Sequence, residues 1–107
     1  MIRLPTILIA LLALLPALTV ARAQDPVRQG RLLVKEFCAS CHAIGRRGRS
    51  PHADAPPLRY IGRSFDLDDF PRTLERGISS NHPDMPEFKF SDENARAVRD
   101  YMRTIQQ

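Results

Sequence analysis

Two cysteines and a histidine in one short stretch constrain this chain more than anything else in it. Residues 38–42 read Cys-Ala-Ser-Cys-His, and Cys38 and Cys41 are the only cysteines among 107 residues. Two thiols three positions apart lie on the same face of a helical turn. The residues match the attachment pattern for c-type haem. Each thiol captures one vinyl group of the macrocycle as a thioether, and the histidine that follows binds the iron.

Other uses of a Cys-x-x-Cys pair fit the rest of the sequence poorly. A thioredoxin-like redox pair needs a βαβ context, and no strand-like alternation of residues occurs here. A structural zinc site needs four ligands in paired clusters, whereas a disulfide between Cys38 and Cys41 closes too short a loop to stabilise much. We therefore predict one covalent haem c, with His42 as the proximal iron ligand.

The first 23 residues have the features of a secretory signal peptide. A basic start is followed by an apolar run between residues 4 and 20 and by a small-residue cleavage sequence that ends at Ala23. The apolar run barely reaches the length of a membrane span and contains a late proline, Pro16. We expect cleavage that leaves one domain, residues 24–107, in the bacterial periplasm without membrane association.

The mature chain is small and carries little net charge. Without Arg3 and Arg22, 14 basic and 12 acidic side chains remain, and two haem propionates would offset most of that excess. Nucleic-acid binding is therefore not expected. A local cluster of Arg46, Arg47 and Arg49 is either a solvated loop or a patch that steers acidic redox partners.

A chain of 84 residues buries little apolar core of its own. We therefore expect the haem to complete the core and the haem-free chain to be largely unfolded. The first helix is predicted to begin at Asp25-Pro26, which pairs an N-cap residue with a proline at the first helical position, and to run to the haem motif. Its apolar face is formed at helical spacing by Val27, Gly30, Val34 and Phe37.

The last helix is predicted to begin at Ser91 as N-cap. Its apolar face must pack on another element, and the first helix, with a notch at Gly30, is the available partner. A short middle helix is predicted between them, with Asp68 as N-cap, Pro71 in the first turn and Gly77 as the stop. The apolar face of the last helix consists of Ala95, Val98, Met102 and Ile105.

Residues 81–88 are predicted to form a stiff loop that presents one thioether. Pro83 and Pro86 restrict the residues before them, His82 and Met85, to extended geometry. A methionine is usually a packing residue, but a haem iron with one histidine needs a second axial ligand. We predict Met85 as the distal ligand. The alternatives are His82, His52 and Met102.

Two further groups are candidates for contacts with the haem. A carbonyl in the Pro56-Pro57 segment suits the ring nitrogen of the proximal histidine that does not bind iron, although an ordinary rigid turn explains the same residues. Arg59, Tyr60 and Arg63 either donate to the haem propionates or lie at the surface.

The order of these elements resembles the class I cytochromes c, the small single-haem electron carriers. The resemblance implies that Cys38 and Cys41 form the thioethers and that His42 is the proximal ligand. It implies that the carbonyl of Pro56 holds that histidine and that Met85 is the distal ligand. The implied fold is all-α, with crossing N- and C-terminal helices, a short middle helix and loops wrapped around one haem.

Some further positions of this chain agree with the pattern of the class I cytochromes c, and others differ from it. Gly30 falls on the glycine at the crossing of the terminal helices, and Tyr101 falls on the aromatic residue of the partner helix. Val34 stands where the family often has an aromatic residue. The chain has no tryptophan, so the propionate donor that many members use is missing. The class II cytochromes fit poorly because their haem motif lies near the C-terminus.

The resemblance implies an electron-transfer protein rather than an enzyme. The expected function is that of a monomeric periplasmic carrier that cycles iron between Fe(II) and Fe(III) and shuttles electrons between redox partners of a respiratory or dehydrogenase chain. Contact with these partners is expected to be transient and at the haem edge. The alternative is a peroxidase-like haem enzyme or a gas-binding or sensing protein, in which Met85 is off the iron and His82 serves in an open distal site.

Overall fold

The computed structural model describes residues 25–77 and 82–107, and in these ranges it contains helices and no strand. The predicted all-α fold class is confirmed there. The predicted signal peptide lies outside the described residues. Within them, none of the helices has the length and apolarity needed to cross a membrane. The elements in chain order are α1 (Pro26–Phe37), a 3₁₀ helix (Leu58–Arg63), α2 (Phe70–Arg76) and α3 (Asp92–Ile105).

Helix α1 begins and ends where its sequence predicts. The side chain of Asp25 accepts a hydrogen bond of 3.0 Å from the backbone N–H of Val27, and Pro26 occupies the first turn without loss because its position needs no N–H donor. The helix buries Gly30 and Val34. Its last residue, Phe37, directly precedes the Cys-x-x-Cys-His motif, so α1 sets the position of that motif.

Helix α3 is capped by Ser91, as its sequence predicts. The Ser91 hydroxyl accepts from the N–H of Asn94 at 3.3 Å, and two acidic residues in the first turn complement the positive end of the helix dipole. The predicted apolar face is confirmed and is wider than predicted. Its buried residues are Ala95, Ala97, Val98, Tyr101, Met102 and Ile105.

The two terminal helices pack closely at Gly30. A Cβ atom placed there would collide with the backbone carbonyl of Ala97, with 2.5 Å to its carbon atom, and would lie 2.9 Å from the Cβ of Tyr101. Glycine is therefore required for this approach, because backbone atoms of α3 occupy the space that a side chain needs. Beside the contact, Gln29 Nε2 donates to Asn94 Oδ1 at 2.7 Å. The helix crossing predicted at Gly30 and Tyr101 is confirmed.

The middle helix, α2, starts one residue later than its sequence predicts. Its N-cap is Asp69, not Asp68, and Asp69 makes no side-chain cap bond. Asp66 forms a turn just before the helix: its carboxylate accepts from the N–H of Asp68 at 2.8 Å, and its carbonyl accepts from the N–H of Asp69 at 3.2 Å. The helix ends at Gly77, where φ is 98°, a left-handed conformation that favours glycine.

The 3₁₀ helix has no counterpart in the sequence predictions, and the end of α3 holds it. The Gln106 side chain accepts from the N–H of Gly62 at 2.8 Å. It also donates to the carbonyls of Leu58 at 3.0 Å and Met102 at 2.9 Å. The Gln106 side chain therefore helps to fix the 3₁₀ helix against the end of α3, and with it the position of the Pro56-Pro57 segment that comes just before.

Candidate haem site

The Cys-x-x-Cys-His motif folds as a tight turn that continues from α1. The N–H of Cys41 donates to the carbonyl of Cys38 at 3.2 Å, and the N–H of His42 donates to the same carbonyl at 2.9 Å. Both cysteines are free thiols and half-buried. Burial raises the pKa of the Cys38 thiol to about 11, because the thiolate is poorly solvated there. At neutral pH the thiol is therefore protonated, and both thiols are unpaired.

The imidazole of His42 is held by a backbone carbonyl. Its Nδ1 lies 2.6 Å from the carbonyl oxygen of Pro56. A carbonyl can only accept, so Nδ1 carries the hydrogen and the lone pair of the neutral ring is on Nε2. The N–H of Leu58 also donates to the carbonyl of Ala43 at 2.9 Å. Two hydrogen bonds thus fix the proline segment beside the histidine.

The chain after the motif is anchored on α3. The hydroxyl of Tyr101 donates to the carbonyl of Ile44 at 2.5 Å, and Arg46 Nη2 donates to the carbonyl of Thr104 at 2.7 Å. Arg46 is therefore engaged in structure, although it belongs to the basic cluster that the sequence contains. All three members of that cluster, Arg46, Arg47 and Arg49, are exposed.

Met85 lies in a short turn whose neighbours pack against the end of α1. Its side chain is half-buried, and its N–H donates to the carbonyl of His82 at 3.2 Å. The ring of Phe88 lies 5.8 Å from the ring of Phe37 between centroids, and the ring of Phe90 lies 5.2 Å from it. Both contacts are edge-to-face. They bring the segment after Met85 beside the residue that precedes Cys38.

The alternative iron ligands have other contacts. The rings of His52 and His82 lie edge-to-face with centroids 5.3 Å apart. Nε2 of His52 is 3.3 Å from a carboxylate oxygen of Asp84, and Nε2 of His82 is 3.6 Å from one of Asp54. Met102 is 1 % exposed and belongs to the core. Its thioether is enclosed by the packing of the helices.

Arg59, Tyr60 and Arg63 form a stack on the 3₁₀ helix. The guanidinium carbons of Arg59 and Arg63 lie 4.7 Å and 4.3 Å from the centroid of the Tyr60 ring. A hydrogen bond from Arg59 and its positive charge lower the pKa of Tyr60, with a smaller effect of the Arg63 charge. In the described part of the chain, the buried Nη1 of Arg59 has no hydrogen-bond partner.

These observations test whether the residues fit a haem, and they do. A buried guanidinium nitrogen without an acceptor is costly, and a carboxylate such as a propionate supplies the acceptor. A histidine with Nδ1 occupied presents Nε2 to iron, and two free thiols on one turn present sulfur to two vinyl groups. The half-buried apolar side chains against the core that can line a macrocycle include Ile44, Ile61, Leu67, Phe70 and Phe90.

Several contacts that shape this site gave no signal in the sequence. Ser50 accepts from the N–H of Ala43 at 3.0 Å and so supports the turn after the motif. Gln106 acts on the 3₁₀ helix from 44 residues away in the chain. The contact of His52 with Asp84 spans 32 residues. Local patterns cannot reveal such contacts, because only the folded chain brings these residues together.

Comparison with known proteins agrees with the geometry. A family model described as cytochrome C oxidase, cbb3-type, subunit III, matches residues 25–102. No curated protein and no solved structure gives a significant match. The matched range includes the whole Cys-x-x-Cys-His turn, the 3₁₀ helix and nearly all of α3. The chain therefore belongs to this family of class I c-type cytochrome domains, which bind haem c and transfer electrons.

Proposed function

We propose that the chain is a single-electron carrier of the bacterial periplasm, with one covalent haem c. Cys38 and Cys41 are the attachment residues, and His42 and Met85 are the two iron ligands. When bound, the haem supplies the reversible Fe(II)/Fe(III) couple. The observation that carries the proposal is the 2.6 Å contact of His42 Nδ1 with the Pro56 carbonyl oxygen, because it orients the imidazole of a Cys-x-x-Cys-His turn as an iron ligand.

The chain's own residues set the properties of the couple. The Pro56 carbonyl keeps the His42 ring in one orientation and makes it a better donor. The Met85 thioether is soft and favours Fe(II), which raises the reduction potential relative to two histidines. With both side chains bound, no coordination position is open for oxygen or peroxide. This arrangement suits electron transfer and argues against the alternative of a haem enzyme or gas sensor.

Arg59 is proposed as the donor to one haem propionate. Its buried Nη1 lacks an acceptor in the described residues, and a charge-assisted bond to a carboxylate satisfies it. Tyr60 and Arg63 are proposed as neighbours of the same group. Arg63 Nε also donates to the backbone carbonyl of Gln107 at 3.3 Å, so it is less free to turn toward a propionate than Arg59 is.

The proposed location and partners are supported by the predicted signal sequence and by the family description. Cleavage after Ala23 places the domain 24–107 in the periplasm, where c-type haem is attached. The family description names a subunit of a cytochrome c oxidase, which favours redox proteins of a respiratory chain as partners. A transient encounter at the haem edge of a monomer is the proposed mode of electron exchange.

The test is a set of methionine and histidine variants expressed in a host that attaches c-type haem. Intact mass should show a mature chain that begins at Gln24 and carries one haem. Met85→Ala should open the sixth coordination position, so the ferrous variant should bind carbon monoxide. His82→Ala should keep Met85 on the iron and bind carbon monoxide far more weakly than Met85→Ala does. Carbon monoxide binding by the His82 variant but not by the Met85 variant would overturn the assignment of Met85.

A further inference from the structure

Two short motifs with the same His-x-Asp pattern lie on different loops and contact each other, and the proposed ligand set does not use them. His52-Ala53-Asp54 lies in the loop between the haem motif and Pro56. His82-Pro83-Asp84 lies in the loop that ends in Met85. Each motif is a histidine followed two residues later by an aspartate. The two motifs face each other with their histidine rings edge-to-face, 5.3 Å apart between centroids.

Within each motif the histidine has the same local contact. Nδ1 of His52 accepts from the N–H of Asp54 at 3.2 Å, and Nδ1 of His82 accepts from the N–H of Asp84 at 3.3 Å. Because Nδ1 accepts in both rings, the hydrogen of each neutral ring is on Nε2. Each neutral ring can therefore donate a hydrogen bond from Nε2 without carrying a positive charge.

Between the motifs the contacts are reciprocal. Nε2 of His52 lies 3.3 Å from a carboxylate oxygen of Asp84, and Nε2 of His82 lies 3.6 Å from a carboxylate oxygen of Asp54. Each histidine thus reaches the aspartate of the other motif. We propose that these four residues, the His–Asp latch, hold the Met85 loop in position for iron ligation, an inference that rests on the proposed function.

One side of the latch is fixed to the proximal half of the site. The N–H of His52 donates to the carbonyl of Cys41 at 3.1 Å, and the N–H of Ala55 donates to the carbonyl of His52 at 3.2 Å. The next residue along is Pro56, whose carbonyl holds His42. His52 and Asp54 are therefore mounted on the backbone that orients the proximal ligand.

The other side of the latch is part of the Met85 turn itself. The carbonyl of His82 accepts from the N–H of Met85 at 3.2 Å, and Asp84 directly precedes Met85. A shift of this turn moves the thioether and both latch side chains together. The latch thus joins the segment that supports one axial ligand to the segment that carries the other, and His52 and Asp54 act as positioning residues for Met85.

The size of the effect follows from the exposure of the groups. The side chains of Asp54 and Asp84 are 72 % and 67 % exposed, so each contact changes the loop equilibrium by a factor of about 5 at most. An external ligand competes with Met85 for the iron. Weakening the hold on Met85 therefore raises the apparent affinity of that ligand by the same factor.

The experiment titrates the ferric haem protein with imidazole and follows the loss of the sulfur-to-iron absorption band. The variants are His52→Phe, which keeps a ring against His82, Asp54→Ala, and both together. The matched control is Asp68→Ala. Asp68 is 68 % exposed and pairs with Arg103 across the chain, but it lies outside the latch. Thermal unfolding of every variant is measured alongside.

The latch predicts that each single variant binds imidazole about threefold to fivefold more tightly than wild type. The double variant should exceed both, and Asp68→Ala should change the affinity less than twofold. Asp68→Ala should lower the unfolding midpoint as much as Asp54→Ala does. Unchanged affinity in the latch variants, or an equal rise in Asp68→Ala, would overturn the latch.

A double-mutant cycle gives a second readout. If His52 acts through Asp84, then Asp84→Ala should raise the imidazole affinity in wild type but have little further effect in the His52→Phe background. Fully additive effects would contradict the contact. The two proposals fail in different ways. If wild type shows the sulfur-to-iron band but the latch variants bind imidazole with unchanged affinity, the latch alone is wrong. If wild type lacks that band, both Met85 ligation and the latch are wrong.

Discussion

The pKa of Tyr60 reports the positive charge that Arg59 and Arg63 bring to the candidate site. Arg59 lowers the pKa of Tyr60 below 10.0, first through a hydrogen bond and then through its charge, and Arg63 contributes less. We expect Arg59→Gln to return the pKa toward 10.0, because the phenolate loses both sources of stabilisation. The measurement is a pH titration of ¹³C-labelled tyrosine by NMR.

The control for this titration is Arg63→Gln, which should raise the pKa of Tyr60 by less than Arg59→Gln does. The direction of the Tyr60 pKa shift also determines how this residue's contribution to stability depends on pH. Because the folded-state pKa is depressed, the contribution of Tyr60 to stability grows as the pH rises through the folded pKa and is complete above 10. A Tyr60 pKa that is the same in wild type and Arg59→Gln would contradict the stacked geometry.

At the residue scale, the sequence identifies the chemistry that is local in the chain. Cys38, Cys41 and His42 lie within one turn, so their spacing alone predicts that they bind a c-type haem. The buried Nη1 of Arg59 could not be predicted, because burial depends on segments distant in the sequence. The same holds for the crossed contacts of His52 and His82, whose partners are carboxylates on the opposite loop.

At the scale of elements, the main prediction concerns the packing of α1 on α3 at Gly30. Gly30→Ala gains about 1 kcal/mol of helix propensity but places a methyl group against the Ala97 carbonyl of α3. A backbone carbonyl cannot rotate away, so the helices must separate, and the cost lies at the upper end of the usual overpacking range, about 3 kcal/mol. We expect a net loss of about 2 kcal/mol in the free energy of unfolding, measured with denaturant on the haem protein.

The control for the helix crossing is Gly45→Ala. No atom lies within 4 Å of a Cβ at Gly45, so this change should alter the free energy of unfolding by no more than about 0.5 kcal/mol. If Gly30→Ala were as stable as Gly45→Ala, the close packing of α1 on α3 would be wrong.

Elements with strong end signals were predictable, and short ones were less so. The caps at Asp25 and Ser91 and the apolar spacing behind them define α1 and α3. Helix α2 starts one residue later than predicted, after a turn in which Asp66 accepts from the N–H groups of Asp68 and Asp69. The sequence does not decide which of the neighbouring aspartates precedes the helix. The 3₁₀ helix escaped prediction because its stability comes from Gln106 on another element.

At the scale of the whole molecule, the protein core is small. The largest fully buried side chains in the described ranges are Met102 and Val34, which leaves little apolar burial to offset the entropy of folding. We expect the haem-free variant Cys38→Ser/Cys41→Ser to lose most of the helical circular dichroism of the haem protein. A cooperative thermal transition with native-like helicity in this variant would show that the fold does not need the haem.

The sequence predicted the pairing of the terminal helices because Gly30 interrupts one apolar face and a second apolar face has no other partner. How the loops enclose the site depends on contacts between distant segments, such as Phe37 with Phe88 and Phe90. These aromatic residues are each unremarkable in sequence. Their common position beside the motif arises only when α1 and the Met85 loop are folded together.

The measurement that tests the central claim most directly is the visible absorption spectrum of the mature protein, oxidised and reduced, with and without carbon monoxide. We predict sharp low-spin bands on reduction, a weak long-wavelength sulfur-to-iron band in the oxidised protein and no response to carbon monoxide, because His42 and Met85 fill both axial positions. A high-spin spectrum that shifts with carbon monoxide would remove Met85 from the iron and contradict the assignment of an electron carrier.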